Sequence, residues 1–368
     1  MSVKDPLLAF LRDPGALRRF DLGDWDTLIR QARRANLLAH VTARILAGGL
    51  ADVVPPAPRV HLDGALIQGS KHVREVQWEA RCIALPLAAA GVPVVFLKGA
   101  AYQLAGLKAG DGRFFTDVDI LVPKSRLADA EAILMAQGYL SAKGDDYDDQ
   151  YYRTWMHELP PLRHVKRQTV VDVHHRILPV TARWQPDPDR MIAAARPVDW
   201  PAGALVFSPE DMVLHSAAHL FCDGALEHGL RDLVDLDALL REFGAQAGFW
   251  DRLAGRAGEL DLARAYSYAL RMAARVLGTP VPQASLEMAA RAAPPGPVAA
   301  IMEGVFATAL MPPPVNGTRR GQALAGFVLY VRSHWLRMPL RLLVPHLVRK
   351  AIRRIGQPRE TAPVPGGA

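Results

Sequence analysis

The sequence predicts an α+β fold in which a small β-sheet flanked by helices precedes a helical C-terminal domain. Apolar residues recur at helical spacing before residue 90 and again after about residue 201. Between these regions, short apolar runs are bounded by glycine, proline or acidic residues, which is typical of strands. The 368 residues therefore divide into a helical region (1–90), an α/β core (91–200), a helical domain (201–310) and a proline-rich linker with a basic tail (311–368).

Composition excludes several classes of protein. Hydrophobic residues make up 50% of the chain and charged residues 22%, so a sizeable core can form and the body is not disordered. The two cysteines, Cys82 and Cys222, support neither a disulfide framework nor a zinc cluster and fit a reducing cytosol. No apolar run is long enough for a signal peptide or a membrane span, which predicts a cytoplasmic protein.

The positive charge is concentrated in the tail. The net charge is +7, but residues 319–368 hold ten Arg or Lys and one acid, which gives +9 there and −2 in the remainder. Nucleic-acid binding by the whole protein is therefore not indicated. Three interpretations of residues 319–359 stay open: an amphipathic helix packed on the body, peripheral contact with anionic lipid at the inner face of the membrane, and contact with RNA or another polyanion.

The first 90 residues are predicted to be helical. A helix capped by Asp24 or Asp26 runs to about Leu46, and residues 51–58 form a proline-containing break. A long helix follows over about residues 60–90, which Pro86 should kink or end early. Its buried side is predicted from apolar residues at helical spacing, namely Leu62, Leu66, Val73, Val76 and Ile83.

Strands and helices alternate between residues 94 and 177. A buried strand at 94–97 leads into a Lys-Gly turn that opens a helix, and a second strand at 117–122 stops at Pro123. A helix at 125–137, a strand at 139–140, a weak strand pair within 151–165 and a strand at 169–177 follow. Beyond residue 201 only helices are predicted, beginning with a Ser208 cap and Pro209 in the first turn and continuing over 228–243, 247–257 and 261–277.

Three acids on two of these strands form a candidate metal site. Asp117 and Asp119 are two residues apart on one strand, so their carboxylates point to the same side, and Asp172 lies on a later strand. Close carboxylates repel one another, and a divalent cation relieves that repulsion. If the strands are neighbours, the acids make a pocket for one or two Mg²⁺ ions. The alternative is a pair of acids in a surface turn.

Candidate phosphate-binding groups flank the first two acids. Lys98 and Gly99 open a helix directly after a buried strand, where backbone N–H groups and the helix dipole favour phosphate. Arg113, in the loop before Asp117, offers a fork of donors. The alternative for Lys98 is a side chain that merely reaches solvent from a strand end.

The motifs described above, in their order along the chain, resemble those of the uncharacterised nucleotidyltransferase family of the polymerase-β-type superfamily. The resemblance rests on K-G at 98–99, G-D-G-R at 110–113, D-V-D-I-L-V at 117–122 and D-V-H at 172–174. It extends to a helix start at Phe207 followed by His219 and to R-D-L-V-D-L-D-A-L-L at 231–240, and so covers roughly residues 20–280. It implies a nucleotidyltransferase core built on a small mixed β-sheet, followed by a helical domain.

The resemblance also implies roles for the acids and the residues beside them. Asp117 and Asp119 would be metal ligands, and Asp172 would be the third carboxylate, as ligand or general base. The third acid is often Glu in this family, and the shorter reach of Asp172 leaves the metal geometry open. His174 shares a strand face with Asp172 and would line the pocket.

Further positions follow from the same resemblance. Lys98 and Gly99 would stand in place of the superfamily's Gly-Ser phosphate loop, with Arg113 nearby. His219 and Asp235 match the family's helical His and Asp and would line the pocket. His215 and His219 have the spacing of a zinc pair, but no Glu in the metalloprotease arrangement and no obvious third ligand accompany them, which favours ordinary packing.

Together, these features predict an enzyme that uses Mg²⁺ to transfer a nucleoside monophosphate from a nucleoside triphosphate, with ATP expected, to a hydroxyl-bearing acceptor, releasing pyrophosphate. The residues leave the acceptor open. The alternative, from another class, is a non-catalytic protein with a nucleotide-binding fold that docks at a membrane or a partner through its basic tail.

Overall fold

A single mixed sheet organises the molecule. The computed structural model describes residues 5–141, 157–223, 226, 228–317 and 319–337. Within these residues the strand order is β3–β4–β5–β2–β1–β7–β6, with β2 and β5 parallel, β1 and β7 parallel, and the other neighbours antiparallel. The strands are β1 (Val94–Phe96), β2 (Asp117–Leu121), β3 (Tyr139–Ser141), β4 (Leu162–His164), β5 (Val170–His174), β6 (Arg196–Pro197) and β7 (Ala204–Val206). The α+β prediction is confirmed.

Helices precede the sheet, connect its strands and follow it. Those before and within the sheet are α1 (Pro6–Arg12), α2 (Leu22–Arg34), α3 (Leu38–Ala47), α4 (Pro56–Ala89), α5 (Lys98–Leu104), α6 (Leu127–Ala136) and α7 (Pro188–Ala193). Those after it are α8 (Pro209–Ala218), α9 (Gly229–Phe243), α10 (Phe249–Glu259), α11 (Ala263–Met272), α12 (Gln283–Arg291), α13 (Gly296–Ala309) and α14 (Arg320–Arg337).

Helix α2 begins earlier than predicted. Its N-cap is Asp21, whose Oδ1 accepts the Asp24 N–H at 2.8 Å, while Asp24 Oδ2 accepts the Asp21 N–H at 3.3 Å. This reciprocal pair is a capping box. The prediction of Asp24 or Asp26 as the cap was wrong, because Asp24 is the third helical residue of the box and not its cap.

Helix α4 continues through Pro86 to Ala89, so the prediction of an early end was wrong. Ile83, Ala84 and Leu87 around this proline are fully buried, and their packing holds the helix together where one backbone hydrogen bond is missing. The predicted buried side is confirmed at Leu62, Val76 and Ile83, whereas Leu66 is 41% exposed and Val73 is only half-buried.

Two strands lie in the region that was predicted to be purely helical or left unassigned. β7 pairs in parallel with β1, and the two-residue β6 pairs with β7 at the sheet edge. A three-residue strand has too little periodicity for a sequence pattern to reveal it. Of the strand pair predicted within 151–165, β4 is present at Leu162–His164, and residues 142–156 lie outside the described residues.

The first part of the basic tail is helix α14, which packs on the body. Its Arg332 Nη1 donates to the Phe221 carbonyl at 2.8 Å, and the same guanidinium lies over the rings of Tyr268 and Phe306. Leu329 and Ser333 are buried on this side. The rest of the predicted tail, residues 338–368, lies outside the described residues.

The buried apolar residues form one continuous core from Leu7 to Leu329, and the four-part domain division stays a prediction.

Candidate active site

The three predicted acids come together at the centre of the sheet. β2 and β5 are parallel neighbours in a register that places Asp119 opposite Asp172. Since side chains alternate along a strand, Asp117, Asp119 and Asp172 project from the same face. Their carboxylate oxygens lie within 4.8 Å of one another. The sequence alone could not establish that the two strands are neighbours. In the sheet, β2 and β5 pair directly.

Lys98 reaches this cluster from the turn after β1. Its Nζ donates to Asp119 Oδ1 at 2.9 Å, and its side chain is 24% exposed. The backbone of Lys98 has φ +48°, the left-handed region that residues other than glycine seldom adopt. This unusual turn directs the ammonium towards the acid on the neighbouring strand.

His174 contacts the same oxygen of Asp119 as Lys98 does. The Nε2–H of His174 donates to Asp119 Oδ1 at 2.9 Å, and its Nδ1 lies 3.3 Å from Glu158 Oε2. Asp119 is only 8% exposed, and both of its neighbours are donors. The prediction that His174 shares a face with Asp172 is therefore extended: His174 directly contacts one of the acids.

Two of the acids, Asp119 and Asp172, have pKa values shifted in opposite directions. Burial raises the pKa of Asp119, but Lys98 and His174 outweigh burial and hold that pKa well below its usual range. Burial, reinforced by the negative charges of Asp119 and Glu158, raises the pKa of Asp172 to about 7. One carboxyl is thus firmly ionised, while the other can take up a proton near neutral pH.

The donor set fits a divalent cation. Asp172 Oδ1 is buried and has no hydrogen-bond partner within the described part of the chain. A buried carboxylate oxygen without a donor is costly, and a cation between the three acids would satisfy it. Carboxylate oxygens in this number are the ligands that Mg²⁺ and similar hard cations take.

Arg113 lies in a second polar cluster. Its Nε donates to Asp235 Oδ2 at 2.7 Å, its Nη2 lies 3.5 Å from Asp232 Oδ1, and its side chain is 6% exposed. The Arg113 guanidinium thus contacts two carboxylates here, and its contact with the triphosphate stays a prediction. Two carboxylates of α9 engage the guanidinium, which joins the loop before β2 to the helical domain.

His219 and Asp235 belong to this second cluster. Burial raises the pKa of Asp232, but the charges of His219, Arg231 and Arg113 outweigh it and lower that pKa. His215, one turn earlier on α8, is buried, and burial together with the charges of Lys98 and His219 lowers its pKa. His215 therefore lies between the two clusters, and its environment keeps it neutral.

Two glycines in the motifs have steric roles. A Cβ on Gly112, which has φ +66°, would come within 2.3 Å of the Ala39 backbone, so the loop before Arg113 can approach α3 only with glycine. A Cβ on Gly99 would come within 2.5 Å of the Phe115 ring. The Lys-Gly turn thus lets the chain before Asp117 pack against the start of α5.

Two clefts meet beside Asp117, and neither is lined by Asp119 or Asp172. One has a volume of about 550 Å³ and lies between α3, α4 and residues 114–116, with Arg33, His61 and Gln68 in its wall. The other has a volume of about 480 Å³ and is lined by α4, Asp117 and residues 167–170. Phe115 and Thr116 line both clefts. Cavities of this size accommodate small-molecule ligands.

Comparison with known proteins agrees with the geometry. The family model described as uncharacterised nucleotidyltransferase matches residues 21–278, more than half of the chain. The chain belongs to the uncharacterised nucleotidyltransferase family. The matched range includes every residue of both polar clusters, and nucleotidyl transfer is therefore the chemistry of this protein. A search of the curated proteins gives no match.

Two acids that were not predicted as site residues, Asp232 and Glu158, lie in these clusters. Asp232 lies three residues before Asp235 on α9, and this helical spacing, which puts both acids on one face, could have revealed it. Glu158 precedes β5 by more than ten residues in a segment with weak periodicity, and no local pattern identifies it. Among the described residues, we find no helix whose length and apolar character would let it span a bilayer.

Proposed function

We propose that this nucleotidyltransferase moves a nucleoside monophosphate from a nucleoside triphosphate, with ATP expected, to a hydroxyl-bearing acceptor and releases pyrophosphate. The acid cluster on two adjacent parallel strands carries this proposal. Mg²⁺ held by Asp117, Asp119 and Asp172, as one or two ions, would neutralise triphosphate charge and favour ionisation of the acceptor hydroxyl.

Within this proposal, the acids have different tasks. Asp119 stays ionised because Lys98 and His174 stabilise its charge, and Asp117 lies on the same face at the strand entrance. Asp172 has a buried oxygen without a donor and a pKa raised to about 7 by burial and the neighbouring carboxylates. Acting as general base and not as a metal ligand, a carboxyl of this kind would accept a proton from an attacking hydroxyl near neutral pH.

Lys98 is the proposed donor to the triphosphate. Its ammonium is already at the acid cluster, and its 24% exposure leaves it within reach of an entering anion. Gly99 provides a backbone N–H at the same turn. Arg113 stabilises the site indirectly, because its hydrogen bond to Asp235 attaches the loop before Asp117 to α9. The two clefts that share Phe115 and Thr116 offer room for the nucleotide and the acceptor.

Peripheral contact with an anionic membrane remains a second proposal, for the tail. Helix α14 exposes apolar side chains at helical spacing, and the chain from residue 319 onwards carries +9. The exposed side chains are Leu324, Phe327, Val328, Tyr330, Val331 and Trp335. Flotation with vesicles of anionic and of neutral lipid tests this contact. Equal binding to both, or to neither, would contradict it.

The catalytic proposal is tested by label transfer. Wild-type protein is incubated with each α-labelled nucleoside triphosphate, Mg²⁺ and a cell extract as the source of acceptors, and pyrophosphate release is measured in parallel. We expect wild-type protein to transfer label to an acceptor, with ATP as the expected nucleotide. The variant Asp117→Asn/Asp119→Asn should transfer none.

The matched control is Asp129→Asn, which removes a carboxylate that is 57% exposed on α6, and it should behave as wild type. If wild type and the double variant both fail to transfer label but bind nucleotide in a metal-dependent way, the non-catalytic binding protein is supported instead.

A further inference from the structure

A second group of metal-ligating side chains lies next to Asp119. It consists of His157, Glu158 and His174, whose ligand atoms all lie within 4.8 Å of one another. The backbone fixes their spacing, because Glu158 forms an antiparallel bridge with His174, and the N–H of His175 donates to the His157 carbonyl at 2.9 Å. The short segment that carries the first two residues is thereby attached to the end of β5.

One distance within this group matches that between neighbouring ligands of a metal ion, and a second is longer. His174 Nδ1 lies 3.3 Å and His157 Nε2 lies 3.9 Å from the same oxygen, Glu158 Oε2. Both distances exceed the roughly 2.8 Å of a charge-assisted hydrogen bond. In a tetrahedral site with bonds of about 2.0 Å to nitrogen and oxygen, neighbouring ligand atoms are about 3.3 Å apart. A small inward shift of His157 would complete such a site.

The hydrogen bond to Asp119 prepares His174 for this role. A carboxylate can only accept, so His174 Nε2 carries the proton. Burial lowers the pKa of His174, but Asp119 and Glu158 outweigh burial and raise it, so a metal ion at Nδ1 has to displace a proton from that nitrogen. Metal-binding histidines commonly donate their other N–H to a carboxylate in this way. The rings of His157 and His174 are stacked, with centroids 5.2 Å apart and an interplanar angle of 28°.

We propose that His157, Glu158 and His174 bind one Zn²⁺ ion at a site distinct from the three catalytic acids. Two imidazoles and one carboxylate are a ligand set that suits Zn²⁺, whereas Mg²⁺ prefers oxygen alone. Glu158 is 18% exposed, and water would take the fourth position. The ion would fix the His174 ring and, through it, the orientation of Asp119.

Metal analysis of the full chain tests this proposal in a background without the acid cluster. The protein carries Asp117→Asn/Asp172→Asn, is stripped with chelator, and is equilibrated with Zn²⁺ in the presence of excess Mg²⁺. We expect one retained Zn²⁺ per chain, and with Co²⁺ as probe, visible absorption of a four-coordinate ion with nitrogen ligands. Adding Glu158→Gln or His157→Ala should abolish both signals. His61→Ala, which removes an exposed histidine elsewhere, should leave them unchanged.

Thermal unfolding separates loss of the site from loss of the fold. In chelator, Glu158→Gln should unfold at nearly the same temperature as its parent, and only the parent should gain stability with Zn²⁺. If the parent retains no Zn²⁺ and shows no thermal shift, the proposal is wrong, and His174 instead bridges Asp119 and Glu158 as an imidazolium. Retention of Zn²⁺ by Glu158→Gln and His157→Ala would overturn the proposal equally.

Discussion

Arg113 and Asp235 form a buried hydrogen bond of 2.7 Å that joins the loop before the acid cluster to the helical domain. Their side chains are 6% and 7% exposed. Because removing one partner leaves an uncompensated buried charge, Arg113→Met should lower the free energy of unfolding by about 3–5 kcal/mol. Arg113→Met/Asp235→Leu should cost less than the sum of the single changes. Urea unfolding of all four proteins measures this, and additive effects would show that the pair is not coupled.

Removing the Asp172 carboxylate should have opposite effects with and without metal. In chelator, Asp172→Asn relieves the repulsion by Asp119 and Glu158 and should raise stability by on the order of 1 kcal/mol, or about 2 °C in Tm. With saturating Mg²⁺, wild type should gain stability and the variant should not. Thermal unfolding under both conditions tests this, and an equal Mg²⁺-induced shift in both proteins would contradict it.

Lys98 and a divalent cation compete for Asp119, since Lys98 Nζ lies 2.9 Å from Asp119 Oδ1. Lys98→Met should therefore tighten Mg²⁺ or Mn²⁺ binding in the absence of nucleotide, by several-fold, while it weakens binding of nucleoside triphosphate. Calorimetric titration measures both constants. Lys124→Met, at an exposed position after β2, is the control and should change neither. Weaker metal binding by Lys98→Met would refute the competition.

Gly112 and Gly106 offer a matched pair that separates backbone strain from steric clash. Both have positive φ, +66° and +64°, but a Cβ would meet the Ala39 backbone only at Gly112. Gly106→Ala should cost about 1 kcal/mol from strain, and Gly112→Ala should cost at least about 2 kcal/mol more. Chemical denaturation gives both values. Similar losses at the two sites would mean that the loop moves away from α3 at little cost.

Glu79 should contribute to stability in a pH-dependent way. Its carboxylate accepts hydrogen bonds from Tyr139, Thr169 and Arg167, which attach α4 to β3 and to the start of β5. Burial raises the pKa of Glu79, but these donors outweigh burial and lower it. A lowered folded-state pKa gives stability that is present above the unfolded pKa of about 4.3 and is lost as pH falls through the folded value.

Glu79→Gln should therefore lower the free energy of unfolding by about 2–3 kcal/mol at pH 7, and the difference from wild type should shrink as pH falls below about 4. Denaturant unfolding across this pH range measures the difference. Glu75→Gln removes an exposed carboxylate one turn earlier and should show no such dependence. A difference that stays constant with pH would exclude the ionised form of Glu79 as its source.

The local parts of the site follow from the sequence pattern. Two carboxylates at a spacing of two residues on a strand must share a face, and this holds for Asp117 and Asp119 in the folded chain. The Lys-Gly turn, the Ser208 cap and the helix start at Pro209 are likewise where the pattern predicts them, because short-range hydrogen bonds and backbone preferences fix such features.

The contacts between groups that are distant in the sequence come from the folded chain. The register of β2 and β5 brings Asp172 opposite Asp119, and the left-handed backbone of Lys98 turns its ammonium to the same acid. Arg113, which the sequence pattern assigned to the triphosphate, forms a buried ion pair with Asp235 of α9, a contact that the sequence pattern did not predict. Glu158 lies near the acid cluster because its backbone forms an antiparallel β-bridge with His174. These contacts join residues that lie more than ten positions apart in the sequence. They depend on strand pairing and burial, which local periodicity does not encode.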